Sequence, residues 1–286
     1  FTLSQLNAMA FEKMKFSGSV SLKNINIQYD TLAINTGQSD IEFALPNPNP
    51  SNKSHSLIFA NIISKQFNLS STNSMQLQMS NARLKVETSD VRDTTKVSNI
   101  YCAFDIESVS ARMDSSTLSV VNPEGKFMLY PSTKLAGMPE IELAYKSDAL
   151  QAVSGKNKAD FKKLDFNTTV INDKNEKEVV KQWIARGNVN LNKANIHVEN
   201  LAYPIEIPAL KMDFTPEEFN IQQSSVSIHK SDFHLSGILK NLMPYLKGDS
   251  ILKGDFDFNS TNTDITELMA LTSGIGSSDE ENISST

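Results

Sequence analysis

Apolar residues in this chain recur at every second position, and the pattern is renewed almost from one end to the other. Met75-Gln-Leu77-Gln-Met79 and Leu84-Lys-Val86 each place apolar side chains on one side of an extended backbone and polar ones on the other. Phe127-Met-Leu129, Ile141-Glu-Leu143-Ala-Tyr145, Leu164-Asp-Phe166-Asn-Thr168-Thr-Val170 and Leu210-Lys-Met212-Asp-Phe214 do the same. So do Phe219-Asn-Ile221, Val226-Ser-Ile228, Phe233-His-Leu235 and Phe256-Asp-Phe258. Turn signals stand between them at Ser80-Asn81, Asn122-Pro-Glu-Gly125, Thr215-Pro-Glu217, Lys230-Ser-Asp232 and Lys247-Gly-Asp249. Short strands every ~8–12 residues predict an antiparallel, all-β architecture with few short helices, and argue against βαβ units.

Helical signals are sparse. Leu3 to Phe16 carries Leu3, Leu6, Ala10 and Met14 at helix-like spacing. Asn241 to Leu246 allows a turn or two, interrupted by Pro244. Asp264-Ile-Thr-Glu267 has capping-box spacing ahead of Leu268, Met269 and Leu271, with Gly274 as a stop. Ile58 to Phe67 reads equally as short helix or strand. Pro46 to Ser54 is a proline-rich loop, Asn172 to Glu178 a charged hairpin tip, and Gly274 to Thr286 a flexible polar tail.

Composition fits a sheet with one wet face. Of 286 residues, 39% are hydrophobic and 21% charged, and Asn, Ser and Thr make up much of the rest. A net charge of −6 offers no electrostatic footprint for nucleic acid or an anionic membrane surface. No stretch approaches the ~20 apolar residues of a membrane-spanning helix. The single cysteine, Cys102, lies in the apolar run Tyr101-Cys-Ala-Phe104 and reads as a buried, inert thiol. The chain opens on Phe1, which suggests a trimmed or processed protein whose leader or anchor precedes it.

Two segments repeat one another. Gly18-Ser-Val20-Ser-Leu22-Lys-Asn-Ile25-Asn-Ile27 matches Gly187-Asn-Val189-Asn-Leu191-Asn-Lys-Ala194-Asn-Ile196. In both, the apolar phase slips after the leucine and resumes three residues later, where a bulge or tight turn would re-aim the strand. The repeat divides the chain into a lead-in at 1–16, a first β-rich unit at 17–160, a second at 161–273 and the tail at 274–286.

The second copy extends through Ile205-Glu-Ile207-Pro-Ala-Leu210, Phe219-Asn-Ile221, Ser231-Asp-Phe-His-Leu-Ser-Gly237 and Leu239-Lys-Asn-Leu242. It continues in Leu252-Lys-Gly-Asp-Phe-Asp-Phe258 and Asp264-Ile-Thr-Glu-Leu268. In this order the pieces resemble the C-terminal region of the AsmA family of bacterial envelope proteins, well over 187–271 and weakly over 18–45. The resemblance implies a curved or gutter-shaped, elongated antiparallel sheet in the periplasm of a Gram-negative bacterium. It also implies attachment to the inner membrane through an N-terminal helix this chain does not show, and a role in phospholipid handling and outer-membrane biogenesis alongside envelope partners.

A one-sided sheet needs a cover for its apolar side. Phospholipid acyl chains are one such cover, and the candidate groove residues are Val20, Leu22, Val189, Leu191, Phe233, Leu235, Phe256 and Phe258. The alternative is a β-sandwich whose second sheet supplies the cover, a binding module for carbohydrate or protein. Enzyme signals are thin, and no motif requires a cofactor. His229 and His234 flank a presumed Lys230–Asp232 hairpin tip and would meet there with Asp232 if they held a metal. Asp255 and Asp257 share one strand face at ~7 Å, a spacing compatible with a carboxylate hydrolase but equally with an exposed strand. Trp183 reads as a core residue. The chain contains no Gly-x-Ser-x-Gly, His-Glu-x-x-His or Cys-x-x-Cys.

Overall fold

The computed structural model describes residues 2–8, 13–50, 57–71, 75–89, 95–177, 182–199, 201–241, 245, 251–266 and 269. Helix α1 (Leu3–Asn7) forms the start of the expected Leu3–Phe16 helix, of which residues 9–12 lie outside the described ones and Phe16 already belongs to the first strand. It opens on a reciprocal cap in which the Gln5 backbone N–H donates to Thr2 Oγ1 (3.2 Å) and the Thr2 N–H to Gln5 Oε1 (2.8 Å).

The remaining described elements are strands, and they run back and forth across one sheet. The first row holds β1 (Phe16–Leu22) and β2 (Ile25–Tyr29) end to end, and the second holds β3 (Leu32–Thr36) and β4 (Ser39–Leu45). Three long strands follow, β5 (Ile58–Ser71), β6 (Met75–Thr88) and β7 (Ile100–Met113). The sixth row joins β8 (Ser116–Val121) to β9 (Glu124–Pro131). Next come β10 (Pro139–Ser154), β11 (Asn157–Asn172) and a fourth composite row of β12 (Trp183–Leu191) and β13 (Lys193–His197). The last rows are β14 (Ile205–Phe214), β15 (Glu218–Ile228), β16 (Ser231–Lys240) and β17 (Lys253–Asn259). Every pairing is antiparallel and joins adjacent rows, so the seventeen strands fill thirteen rows of a single sheet.

The all-β, antiparallel expectation is therefore what forms, and the segment left open at Ile58 to Phe67 is strand. The division at residue 160 falls inside β11, which pairs with β10 from Asn157 to Ile171, so both expected units belong to one sheet. Residues 242–244, 246–250 and 270–286, which carry the expected Asn241–Leu246 turn, the Lys247–Asp249 turn and the tail, lie largely or wholly outside the described residues.

A transverse row of unpaired residues crosses the strands at one level. Asn81 sits between the pairs Ser80–Ser108 and Ala82–Ile106, with Glu107 opposite it, and the register is the same on both sides. The line continues through Lys65, Asp148 and Lys163, each skipped by the pairing of its strand. At Asn24, Asn122 and Asn192 it separates the collinear strands of the composite rows. Asn24, Asn81, Asn122 and Lys163 take left-handed φ values of 53°, 46°, 48° and 54°. Asn tolerates that conformation better than most residues. One residue out of the extended conformation absorbs one step of the alternation. Met75, Leu77 and Met79 before Asn81 therefore face the same side as Ala82, Leu84 and Val86 after it. The phase slip seen in the two repeat segments is thus a property of the sheet, present in strands between them as well.

Two expected turns are corrected here. Ser80-Asn81 does not reverse the chain, because it lies within β6, and Asn122-Pro-Glu-Gly125 joins two collinear strands that share β7 and β10 as neighbours. True reversals at one end of the sheet are two-residue turns opening on Asp30, Asp114, Gly155 and His229, all with φ between 51° and 58°. At the other end the connections are mostly longer, as in 46–57, 89–99 and 173–182.

The sheet has little buried core. The chain exposes 18348 Å², against roughly 12,000 Å² expected for a compact chain of its mass. Among the buried apolar residues, Val120, Leu191 and Ala194 flank the unpaired row, as do the buried Ser39, Ser64 and Ser147. Ser39 Oγ and Ser64 Oγ share a hydrogen bond of 2.9 Å there. Met14, Ala44, Leu45, Tyr130 and Ile171 gather toward the end with the longer connections.

Candidate functional site

Directly opposed residues of paired strands lie on the same face of a sheet, so the registers trace which side chains stand together. One ladder runs Val20, Ile41, Ile62, Leu84, Phe104, Gly125, Tyr145, Phe166, Val189, Met212, Ile221, Gly237, Phe256. It spans all thirteen rows without a charged residue, and none of its members is fully buried. Across the unpaired row a second ladder runs Ile27, Ile34, Leu69, Leu77, Ala111, Leu118, Ala152, Ala159, Ile196, Ile205, Ile228. It too contains no charge and no fully buried residue.

All eight groove residues expected from the sequence fall on this face. Val20, Val189 and Phe256 are rungs of the first ladder, while Leu22 and Leu191 stand beside the unpaired row. Leu235 opposes Phe258, and Phe233 stacks on Phe258 at 5.8 Å. Their exposure differs widely, from Leu191 at 5% to Phe258 at 65%. Sequence reading missed the rungs between them, of which Ile62, Phe104 and Phe166 are examples. The same phase slip in β5, β7 and β11 was the signal that could have found them.

The second ladder narrows in its middle to alanine at Ala111, Ala152 and Ala159. There the face forms an open recess of about 830 Å³, walled by Leu69, Leu77, Leu118 and Ile196. A volume in the range ~300–1,000 Å³ is usual for small-ligand sites, and apolar walls are usual too.

The opposite face is ionic. Arg83 pairs with Asp105 (3.5 Å), Lys146 with Asp165 (3.7 Å) and Lys85 with the fully buried Glu87 (2.7 Å). Arg83, Lys85, Asp105 and Lys146 border a recess of about 540 Å³ also lined by Lys126 and Glu124. Along the unpaired row, polar side chains link strand to strand. Asn81 donates to Glu107, Asn122 donates to Asp148 (2.7 Å), and Lys163 donates to the same carboxylate (2.5 Å). The Asn122 amide and the Lys163 ammonium hold Asp148 below the usual carboxylate range.

A third cluster sits toward the end with the longer connections. Tyr130 donates to Glu142 (2.5 Å), and Ser132 donates to Glu140 (2.8 Å), whose carboxylate also receives Arg186 at 3.5 Å. Burial and the neighbouring Glu142 push Tyr130 far above its ordinary range, which keeps the phenol protonated. Burial likewise pushes the Cys102 thiol up, away from nucleophilic thiolate.

Other expectations are redrawn. The hairpin tip is His229-Lys230, not Lys230–Asp232, and Asp232 lies within β16. His229 stacks on Tyr203 at 4.4 Å, while His234 lies within 3.0 Å of Ser225 and 3.3 Å of Asp232, so the two imidazoles serve different neighbours. Asp232 instead holds the chain after β17, accepting from the backbone N–H groups of Thr261 (3.1 Å) and Asn262 (2.7 Å) and from the Thr261 hydroxyl (2.7 Å). Asp255 and Asp257 stand on the ionic side of β17, every residue of which is exposed. Trp183 is 44% exposed rather than core, because it opens β12 at the edge of the longer-connection end. No protein-family model, curated protein or solved structure matches the chain, and so none points to AsmA or to any other family.

Proposed function

We propose that the apolar face seats the acyl chains of phospholipid, in a non-enzymatic, AsmA-like module of the periplasm that serves envelope biogenesis. The observation that carries this reading is the uncharged ladder crossing every row with no fully buried rung. A face of that extent needs a cover, and the described residues of the chain add no second sheet and, beyond α1, only a few helical residues such as Ile265 and Thr266. Each methylene placed on it gains about 0.8 kcal/mol, the same currency that holds a lipid tail in a bilayer. Strand segments of about six residues on either side of the unpaired row span ~20 Å, close to the length of an extended tail. The polar headgroup would remain in water beyond the rim of the sheet. Curvature of the sheet into a gutter, attachment to the inner membrane and envelope protein partners belong to the same proposal, and rest on the AsmA resemblance.

The test is native mass spectrometry of the protein expressed in a Gram-negative host, with Leu118→Glu/Ala152→Glu as the comparison. Both positions lie on the alanine-floored part of the second ladder, and Leu118 is already 37% exposed. The wild type is expected to carry phospholipid, and the variant to lose most of it while keeping its β-sheet circular dichroism. Wild type free of lipid, or a folded variant with unchanged lipid, refutes the reading.

A further inference from the structure

The sheet ends in two edges, and they are protected very differently. β17 places Lys253, Asp255 and Asp257 within seven residues, the kind of charge that keeps an edge from pairing with another strand. The opposite edge, β1 with β2, runs from Phe16 to Tyr29 with Lys23 as its single charge and no proline. β1 pairs with β4 and β2 with β3, so the outer backbone groups of both strands face away from the sheet. Apolar side chains there stand in the open, with Val20 43%, Ile27 52% and Tyr29 79% exposed.

This edge is complementary to itself. Wherever rows meet across the unpaired line they pair antiparallel, with break facing break. The same rule applied across the β1–β2 edge sets Leu22 opposite Ile25 of a second copy, Val20 opposite Ile27, and Gly18 opposite Tyr29. Two-fold symmetry repeats each of these contacts. Every one of these residues is on the apolar face, where the Phe43 ring covers Gly18 and offers the exposed Tyr29 ring of the second copy an aromatic neighbour. Ser19 then falls opposite Gln28 on the polar face. Lys23 falls opposite Asn24 in this register, one position from the Lys23 of the second copy, so no like charges stand directly opposite one another. On β17 a strand paired with its own copy about Phe256 would set Asp255 against Asp257.

We propose that the β1–β2 edge pairs with the same edge of a second copy, joining two sheets into one with a continuous apolar face. The inference does not depend on what that face binds, and is tested on lipid-free protein, so its failure and that of the acyl-chain reading are separable. Sedimentation equilibrium of the wild type is expected to show twice the 31.7 kDa chain mass. Ser19→Lys/Gln28→Lys sets lysines opposite one another twice and is expected to weaken the dimer at least tenfold. Ser19→Lys/Gln28→Glu sets opposite charges there and is expected to restore it. Asn259→Lys, on the other edge, should leave the mass unchanged. Amide exchange of wild-type β1 and β2 gives a readout free of substitutions, and is expected to slow as protein concentration rises. A monomeric wild type, concentration-independent exchange, or a dimer indifferent to the charge pattern at positions 19 and 28 overturns the proposal.

Discussion

Deleting Asn81 is the sharpest test of the unpaired row. Without that residue β6 would be extended throughout, and the alternation before and after the gap could no longer serve one face. With Leu84 and Val86 held in place, Met75, Leu77 and Met79 would rotate to the ionic side, while Gln76 and Gln78 would enter the apolar side. Full burial of such apolar side chains is worth ~1.5–3 kcal/mol each. Met75, Leu77 and Met79 are half-buried in the sheet, so about 1 kcal/mol each is at stake, or about 3 kcal/mol in all. The two misplaced glutamines bring the expected loss to about 4 kcal/mol. Asn81→Ala keeps the phase and loses only the bond to Glu107 and the tolerance of Asn for its left-handed φ of 46°, and should cost about 1–2 kcal/mol. Urea unfolding measures both, followed by circular dichroism. A deletion no more damaging than Asn81→Ala would show that the row does not set the phase.

Two further outcomes follow from local geometry. At Gly187 a Cβ would run into the Asn167 carbonyl oxygen and lie 2.9 Å from Thr168 Cα, both backbone, whereas at Gly18 it would meet the Phe43 ring edge at 2.9 Å. Gly187→Ala should therefore cost about 3 kcal/mol and Gly18→Ala about 1 kcal/mol, since a ring can turn and a strand cannot; equal losses in urea would contradict this. Asp148 has a folded pKa held below its unfolded value by Asn122 and Lys163, so its stabilisation is present above the unfolded value of ~3.9 and fades as pH falls through the folded one. Melting temperatures measured from neutral to acid pH should fall less steeply for Asp148→Asn than for the wild type, and parallel curves would count against the assignment.

Alternation in runs such as Ile141–Tyr145 and Leu210–Phe214 made the strand content and the two-faced character legible in the sequence. Which breaks reverse the chain was not legible, for a physical reason. A two-residue turn sets residues of one face three apart, as Met113 and Ser116 stand across Asp114. A left-handed residue within a strand does the same, as Met79 and Ala82 stand across Asn81. Asp114 and Asn81 share nearly the same φ, 51° and 46°, so the local chemistry is alike and only pairing with other strands separates the two cases. The match between residues 18–27 and 187–196 rests on a phase slip that other strands of the sheet share. The eight groove candidates could be placed on the apolar face from phase alone, but their exposure depends on distance from the unpaired row and from the sheet edges, which no single strand encodes.

Substantial contacts between strands are all with the strand that shares their hydrogen bonds. The molecule is in that sense a one-dimensional stack, whose stability approximates a sum over neighbouring pairs in place of one global core. Damage at one row should stay there, and unfolding should proceed inward from the terminal rows. A chain built this way can gain or lose a hairpin at its margins and change its length without redesigning its middle.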